Sequence, residues 1–410
     1  MQLDRDQFLQ EGYLILRNVV PPDHLDTLRN ASEIMVERQK RIWERQRKEG
    51  DPPGGQWETS NQPRLLVQRQ SDLIDKQSAS FVEFWLHENT LGSSSELLQT
   101  AHAAGTEMMM MCNPTSDRGP AKWHRDIHPI DTAPLQGYLN DIAENGPRYV
   151  QWNIPLYDDD VLWVIPGTHL RVNSAAEDRQ ILKDPLQPVP GGVQTHLNAG
   201  DGVVYITPIL HWGSNYSTRM RRTLHGGYSN FTQYNDLSYI PYLSAASQAQ
   251  FRRWEEQSAR TQDLTESVLR AALAKDGAGF HAGLDKLQPG IGAKGKLLLT
   301  VYLCKAACYV NVLNNPDFKG IDPKLSASAA NNHPTTLNWG PPFAARFTPQ
   351  EARDLWRRFE PLDARLQADE EHFAPSFQSG PMRYFFNEMP TDYDVDSLIA
   401  AWGASTGPQK

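Results

Sequence analysis

The chain has 410 residues, 39% apolar and 22% charged, with a net charge of −9. That is enough to bury a large core in ordinary globular proportions. It is too acidic for a generic nucleic-acid footprint. Three cysteines, Cys112, Cys304 and Cys308, give no disulfide framework. The longest apolar run, residues 297–304, is far short of a membrane span, so no membrane partner is expected. The opening Met1-Gln2-Leu3-Asp4-Arg5-Asp6 has no basic stretch followed by an apolar core, and a cytoplasmic location is expected.

In chain order, residues 1–35 read as helix, strand and second helix. Pro21-Pro22 opens the second helix, because proline suits a first helical turn. Residues 37–49 are highly charged and read as a solvated helix end, closed by Gly50-Asp51-Pro52-Pro53-Gly54-Gly55. Residues 60–235 carry short β-rich runs bounded by Gly, Pro, Asn and Asp. Residues 135–148 are a polar insertion, read as a lid over the active-site mouth or as a plain surface loop. Asp158-Asp159-Asp160 reads as a tight polar connection between two apolar strands, with no metal needed to explain it. Beyond residue 244, helical spacing dominates over 244–275 and 349–369.

The expected fold is therefore mainly β with α additions. Residues 1–235 form a double-stranded β-helix core of jelly-roll or cupin type, with flanking N-terminal helices. Residues 236–410 form a mostly helical extension packed on it, as lid, buttress or subunit interface. Cys304 and Cys308, at i and i+4, fit one buried helix face.

The chemistry concentrates in Trp123-His124-Arg125-Asp126. Histidine and aspartate at i and i+2 share one face of an extended strand. The pattern alone is weak: with 12 histidines in the chain, about one match is expected by chance. His24-Leu25-Asp26 is such a match. It lies in the second helix, where i and i+2 point about 200° apart and cannot share a metal. His211 adds a second imidazole at the end of an apolar strand, after Ala199-Gly200-Asp201-Gly202. A polar loop follows, and Arg221-Arg222-Thr223-Leu224-His225 opens the returning strand. Two imidazoles and one carboxylate on one face of a metal is the facial arrangement of non-haem Fe(II) oxygenases. A guanidinium fork nearby suits a carboxylate ligand.

Four segments in order resemble the phytanoyl-CoA dioxygenase family of Fe(II)- and 2-oxoglutarate-dependent oxygenases. They are the helix-Gly12-Tyr13-strand phrase of residues 8–20, Trp123-His124-Arg125-Asp126, Val164-Ile165-Pro166-Gly167-Thr168-His169, and residues 211–228. The resemblance implies iron ligation by His124, Asp126 and His211, with 2-oxoglutarate and O2 as cosubstrates. It implies an arginine for the distal carboxylate of 2-oxoglutarate. Arg221 fits the family phrase and Arg222 fits the usual spacing, and only one can face the iron, since strand neighbours point to opposite faces. Arg221 is preferred. Trp152, Ser214 and Thr223 are further candidates for contact with the cosubstrate. His128 and His225 are candidates for lining the pocket, and His169 for a structural hydrogen bond. No catalytic residue is expected beyond the metal site.

With a carboxylate at position 126, hydroxylation of an unactivated C–H bond of a small molecule, with release of succinate and CO2, is expected over halogenation. Desaturation, epimerisation and ring formation remain alternatives on the same iron centre. A zinc hydrolase with the same ligands and a non-catalytic binding protein are the readings from other classes.

Overall fold

The computed structural model describes residues 1–67, 71–126, 135–229, 237–318, 339–366, 371–375, 381–385 and 389–403. It divides into two compact units. The first holds Met1–Asp126, Arg148–Glu255 and Ala374–Met382; the second holds Ile127–Pro147, Glu256–Phe373 and Arg383–Lys410. The sequence placed the boundary near 235 and assigned 127–147 to the first part. The structure instead groups that insertion with the C-terminal region.

The first unit is built on two antiparallel sheets. Their strands are β1 (Tyr13–Leu16), β2 (Arg64–Leu66), β3 (Ala104–Cys112), β4 (Tyr149–Pro155), β5 (Trp163–Val164), β6 (Val193–Gln194), β7 (Gly202–Ile206), β8 (His211–Trp212) and β9 (Arg222–Ser229). Six form one sheet in the order β1-β7-β4-β9-β3-β2, and three form a second in the order β6-β5-β8. Strand alternation sorts the larger sheet into two faces. The pairings Tyr13↔Tyr205 and Ile15↔Val203 put those residues on one face. There they pack with Leu162, Val164, Leu197 and Ile209. Gln151, Asn153, Thr223 and His225 share that face by register.

Local signals explain how the chain enters this sheet. Asp4 caps the Arg5–Glu11 helix by accepting the Gln7 N–H, and Gly12 ends it at φ 87°, donating its N–H to Phe8 O. Left-handed backbone is tolerable there because glycine has no Cβ. The Pro22–Arg45 helix buries Leu28, Ala31, Met35, Val36 and Trp43 at helical spacing. His24-Leu25-Asp26 sits on this helix. Asp26 pairs with Arg29 at 3.2 Å, while His24 lies beside Asp23, so that match is no metal site.

In the second unit the Leu135–Asn145 helix docks on the start of the Ala293–Asn314 helix. Glu144 Oε2 accepts the Gly295 N–H at 2.9 Å and Asn145 Oδ1 accepts the Gly292 N–H at 3.0 Å. Acceptors at a helix N-terminus satisfy its orphan donors and suit its dipole. The insertion read as a lid or loop is thus a helix anchored within the second unit. Ala293–Asn314 is long and apolar enough to cross a membrane by composition, contrary to the shorter run read from sequence, but 78% of its apolar window is buried. Cys304 and Cys308 are buried on it. With helices of 24, 29, 22 and 18 residues, the chain is mixed helix and sheet rather than mainly β.

Candidate metal centre

His124 and His211 come together by backbone pairing. They form an isolated antiparallel bridge, with His124 N donating to His211 O at 2.9 Å and His211 N to His124 O at 3.0 Å. Their rings lie 4.4 Å apart between centroids. The flanking Trp123 and Trp212 stack at 4.9 Å and 11° within an apolar cluster. Alternation separates the pairs: imidazoles on one side of the bridge, indoles on the other.

Asp126 completes the set. Its Oδ1 lies 3.4 Å from His124 Nε2 and its Oδ2 3.4 Å from His211 Nε2. One donor atom from each residue falls within 4.8 Å of the others. Both histidines engage their other nitrogen with backbone: His124 Nδ1 donates to Lys122 O at 2.7 Å, and His211 Nδ1 to Ile209 O at 2.9 Å. That arrangement presents both Nε2 lone pairs toward Asp126, as metal-ligating histidines require. A metal about 2.1 Å from each donor puts neighbouring donors about 3–3.5 Å apart, so the three residues fit a transition metal.

The electrostatics follow from burial and mutual charge. Burial would raise the Asp126 carboxyl, but His211 and His124 outweigh it and hold it well below the ordinary range. Burial lowers His124, with His211 adding to the effect. For His211 burial works downward, yet the Asp126 carboxylate raises it overall.

Residues beyond the ligands hold them in place. Gln151 Nε2 donates to Asp126 Oδ2 and to Tyr205 Oη, both at 2.7 Å, and lies 3.2 Å from His225 Nε2. His225 Nδ1 bonds to Asn153 Oδ1. Burial, helped by the Arg64 guanidinium, pushes His225 down to about 3, so it is a neutral ring at physiological pH. Arg125, between the two ligands, binds Asn173 Oδ1 through Nε (3.1 Å) and Nη2 (2.7 Å). Its Nη1 donates to Thr168 O at 2.6 Å and to Pro208 O, pinning the ligand segment to the residues before His211.

The remaining sequence candidates divide by strand parity. Thr223 and His225 lie on the face that carries Gln151 and Asn153, and Arg221 shares their parity just ahead of β9. Arg221 Nε donates to Asp159 Oδ2 at 2.9 Å, and Thr223 Oγ1 reaches the same oxygen at 2.9 Å. Arg222 points the other way and grips Glu33 through Nε (2.7 Å) and Nη2 (3.1 Å). Trp152 also lies on the opposite face, where its Nε1 donates to Ser94 Oγ at 2.9 Å. An aromatic contact to the cosubstrate from Trp152 is therefore not what this strand offers; Gln151 and Asn153 hold the facing positions. Ser214 is buried in a bridge with Pro120, beyond the His211–Trp212 strand. His128 lies outside the described residues. His169 bonds Leu9 O at 2.9 Å through Nε2, a structural contact.

Sequence reading missed Gln151, Asn153, Tyr205, Arg125 and Asp159. Only the alternation Gln151-Trp152-Asn153 hinted at the first two, and it could not say which parity faced the metal.

The phytanoyl-CoA dioxygenase (PhyH) family model matches residues 8–223. No curated protein matches the chain. Solved structures similar to it include AviO1 from Streptomyces viridochromogenes Tue57, at 18% identity and TM-score 0.38, covering 56% of this chain and 96% of that one. EctD from S. alaskensis with 2-oxoglutarate and 5-hydroxyectoine matches at 13% and 0.39, covering 56% and 77%. EvdO2 from Micromonospora carbonacea var. aurantiaca complexed with 2-oxoglutarate matches at 18% and 0.36, covering 60% and 98%. The family match spans more than half of the chain and contains the His124, Asp126 and His211 cluster, and the chain belongs to the phytanoyl-CoA dioxygenase family of non-haem iron, 2-oxoglutarate-dependent oxygenases.

Proposed function

We propose that this enzyme hydroxylates an unactivated C–H bond of a small molecule, a specialised metabolite, converting 2-oxoglutarate to succinate and CO2. The observation that carries the reading is the complete His124, Asp126, His211 cluster: a carboxylate occupies the position that halogenation would leave open. The two antiparallel sheets are read as the halves of a double-stranded β-helix, and the region after residue 235 as a mostly helical extension. Three buried free cysteines suit a reducing, cytoplasmic setting.

In this reading His124 Nε2, His211 Nε2 and an Asp126 oxygen hold Fe(II). When bound, the iron would let O2 act as the oxidant, with one oxygen atom going to 2-oxoglutarate as it loses CO2 to give succinate and the other going to the C–H bond. Gln151 fixes the rotation of the Asp126 carboxylate. Neutral His225, held by Asn153 and Gln151, adds no second positive charge beside the iron. Arg221 holds the distal carboxylate of 2-oxoglutarate, on the face that Thr223 and His225 share.

Anaerobic addition of Fe(II) and 2-oxoglutarate tests the first half: a visible charge-transfer band forms, and Asp126→Ala abolishes it. Incubation with metabolite pools in air tests the second. Hydroxylation adds an oxygen atom to the consumed compound. Loss of a pair of hydrogens, or an unchanged mass with inverted stereochemistry, would replace hydroxylation by desaturation, ring closure or epimerisation.

A further inference from the structure

Asp159 is a buried carboxylate without a role in the reaction as set out above. Its sequence neighbours do surface work: Asp158 Oδ1 accepts the Ala199 N–H at 2.9 Å, and Asp160 pairs with exposed Arg219 at 3.0 Å. Asp159 turns inward, with its side chain 7% exposed. Its backbone pairs with Leu197 in both directions, at 2.9 and 3.0 Å, and its Oδ1 accepts the Val161 N–H at 3.0 Å. The carboxylate is thus anchored by its own turn. Its Oδ2 then receives both Arg221 Nε and Thr223 Oγ1.

The consequence lies in what is left on Arg221. A guanidinium offers two edges suited to bidentate carboxylate binding, one formed by Nε with an Nη and one by the two Nη atoms. Asp159 occupies Nε. The two Nη atoms make no hydrogen bond or ion pair among the described residues. We propose that Asp159 is a positioning residue for the cosubstrate. It clamps Nε and, with Thr223 as a second tether, commits the Nη–Nη edge of Arg221 to the distal carboxylate of 2-oxoglutarate. The proposal rests on the assignment of Arg221 made above. It also accounts for the burial of Arg221, since an unpaired cation in that position is costly. That second contribution is structural, so the test must separate orientation from folding.

The experiment measures dissociation constants on the full chain. 2-Oxoglutarate is titrated anaerobically with Fe(II) by its charge-transfer band, and N-oxalylglycine with Mn(II) by calorimetry. Pyruvate, which lacks the distal carboxylate, is titrated in parallel. Asp159→Ala is expected to weaken both dicarboxylates about tenfold or more and to leave pyruvate unchanged. Asp159→Asn, which keeps an oxygen acceptor for Nε, should recover most of the loss. In an Arg221→Ala background Asp159→Ala should add nothing. If Asp159→Ala does not fold, Asp159→Ser, too short to reach Nε, must meet the same expectations. Unchanged or tighter dicarboxylate binding in Asp159→Ala, with Arg221→Ala still weak, overturns this proposal and leaves the proposed function standing. Equal weakening of pyruvate and 2-oxoglutarate overturns it as a purely structural effect. Unchanged 2-oxoglutarate binding in Arg221→Ala overturns the arginine assignment, and this proposal with it.

Discussion

His124 and His211 are held opposite each other by two reciprocal backbone hydrogen bonds, and Trp123 and Trp212 stack behind them. Neither feature needs a metal. The site is therefore built into the folded chain, and metal binding should add to a structure that already stands. Thermal unfolding should be cooperative after chelation and move upward when Mn(II) or Fe(II) is added. At a hundredfold excess over Kd the gain is about 2.7 kcal/mol. His124→Ala and His211→Ala should abolish the metal-dependent gain. A chelated protein that is already unfolded would contradict a preformed site.

Arg221 and Arg222 are neighbours with separate tasks, because strand alternation sends them to opposite faces. Arg222, 5% exposed, donates to Glu33, to Asn113 Oδ1 at 3.0 Å and to Arg221 O at 2.8 Å. Arg222→Ala should cost about 1–2 kcal/mol of stability by denaturant titration, since its partner Glu33 is half in solvent. It should leave 2-oxoglutarate affinity unchanged. Arg221→Ala should remove most of that affinity, and it should also cost stability because it leaves the buried Asp159 carboxylate without its cation. Loss of affinity in Arg222→Ala with none in Arg221→Ala would exchange their assignments.

Among the described residues, Gln151 is the side chain of the Tyr149–Pro155 strand that donates to Asp126. Replacing it by leucine removes that bond and leaves Tyr205 and His225 without their shared partner. Metal affinity should fall about 10–100-fold, the usual cost of losing an outer hydrogen bond to a ligand. Gln151→Glu should be as harmful, because it places a second carboxylate against Asp126. Competition with a metal-binding dye measures both.

How much of this was legible depended on whether partners lay close along the chain. The i, i+2 spacing of His124 and Asp126 suited a shared side of extended backbone, and the helical setting of His24 and Asp26 disqualified the decoy by the same rule. Parity said before any pairing was known that only one of Arg221 and Arg222 could face the iron, and the family phrase favoured Arg221. Trp152 was offered from the family resemblance alone, and parity has no sign until register is set. Once Gln151 pairs with Tyr205 and Gly227, Trp152 is committed to the opposite face. Asp159 was hidden for a different reason. It sits among aspartates that do solvate a turn, and its partner Arg221 is remote in sequence. The insertion after Asp126 was read by composition as a lid or loop. Its anchoring partners, Gly292 and Gly295, offer only backbone N–H groups, which leave no mark in a sequence.

The Asp159–Arg221 pair also predicts a pH dependence. Burial would raise the Asp159 carboxyl, but the Arg221 charge and three hydrogen bonds lower it below its ordinary 3.8. A group depressed in the folded state stabilises fully above its unfolded pKa, and that stability is lost as pH falls through the folded value. Wild type should therefore lose stability more steeply than Asp159→Asn as pH drops below about 4. Their denaturation midpoints should run parallel between pH 6 and pH 8, as midpoints measured at fixed ionic strength would show. Parallel curves down to pH 2 would mean that folding does not shift the Asp159 carboxyl.

Gly12 couples the first helix to the Pro166-Gly167-Thr168-His169 turn, and its replacement should be among the most damaging in the first unit. Two independent costs apply. Its φ of 87° strains any residue with a Cβ, and a Cβ built there would lie 2.3 Å from His169 Nδ1. The ring cannot simply move away. His169 is 0% exposed and its Nε2 is bonded to Leu9 O, while the Gly12 carbonyl accepts the Ile206 N–H at 2.9 Å on the same sheet as Tyr205. Gly12→Ala should lower stability by about 2 kcal/mol or more in urea titration. The double variant Gly12→Ala with His169→Ala removes the clash but not the strain, so it should be less impaired than the two single losses added together. Simple additivity would show that Gly12 is required for its backbone angle and not for the space it leaves to His169.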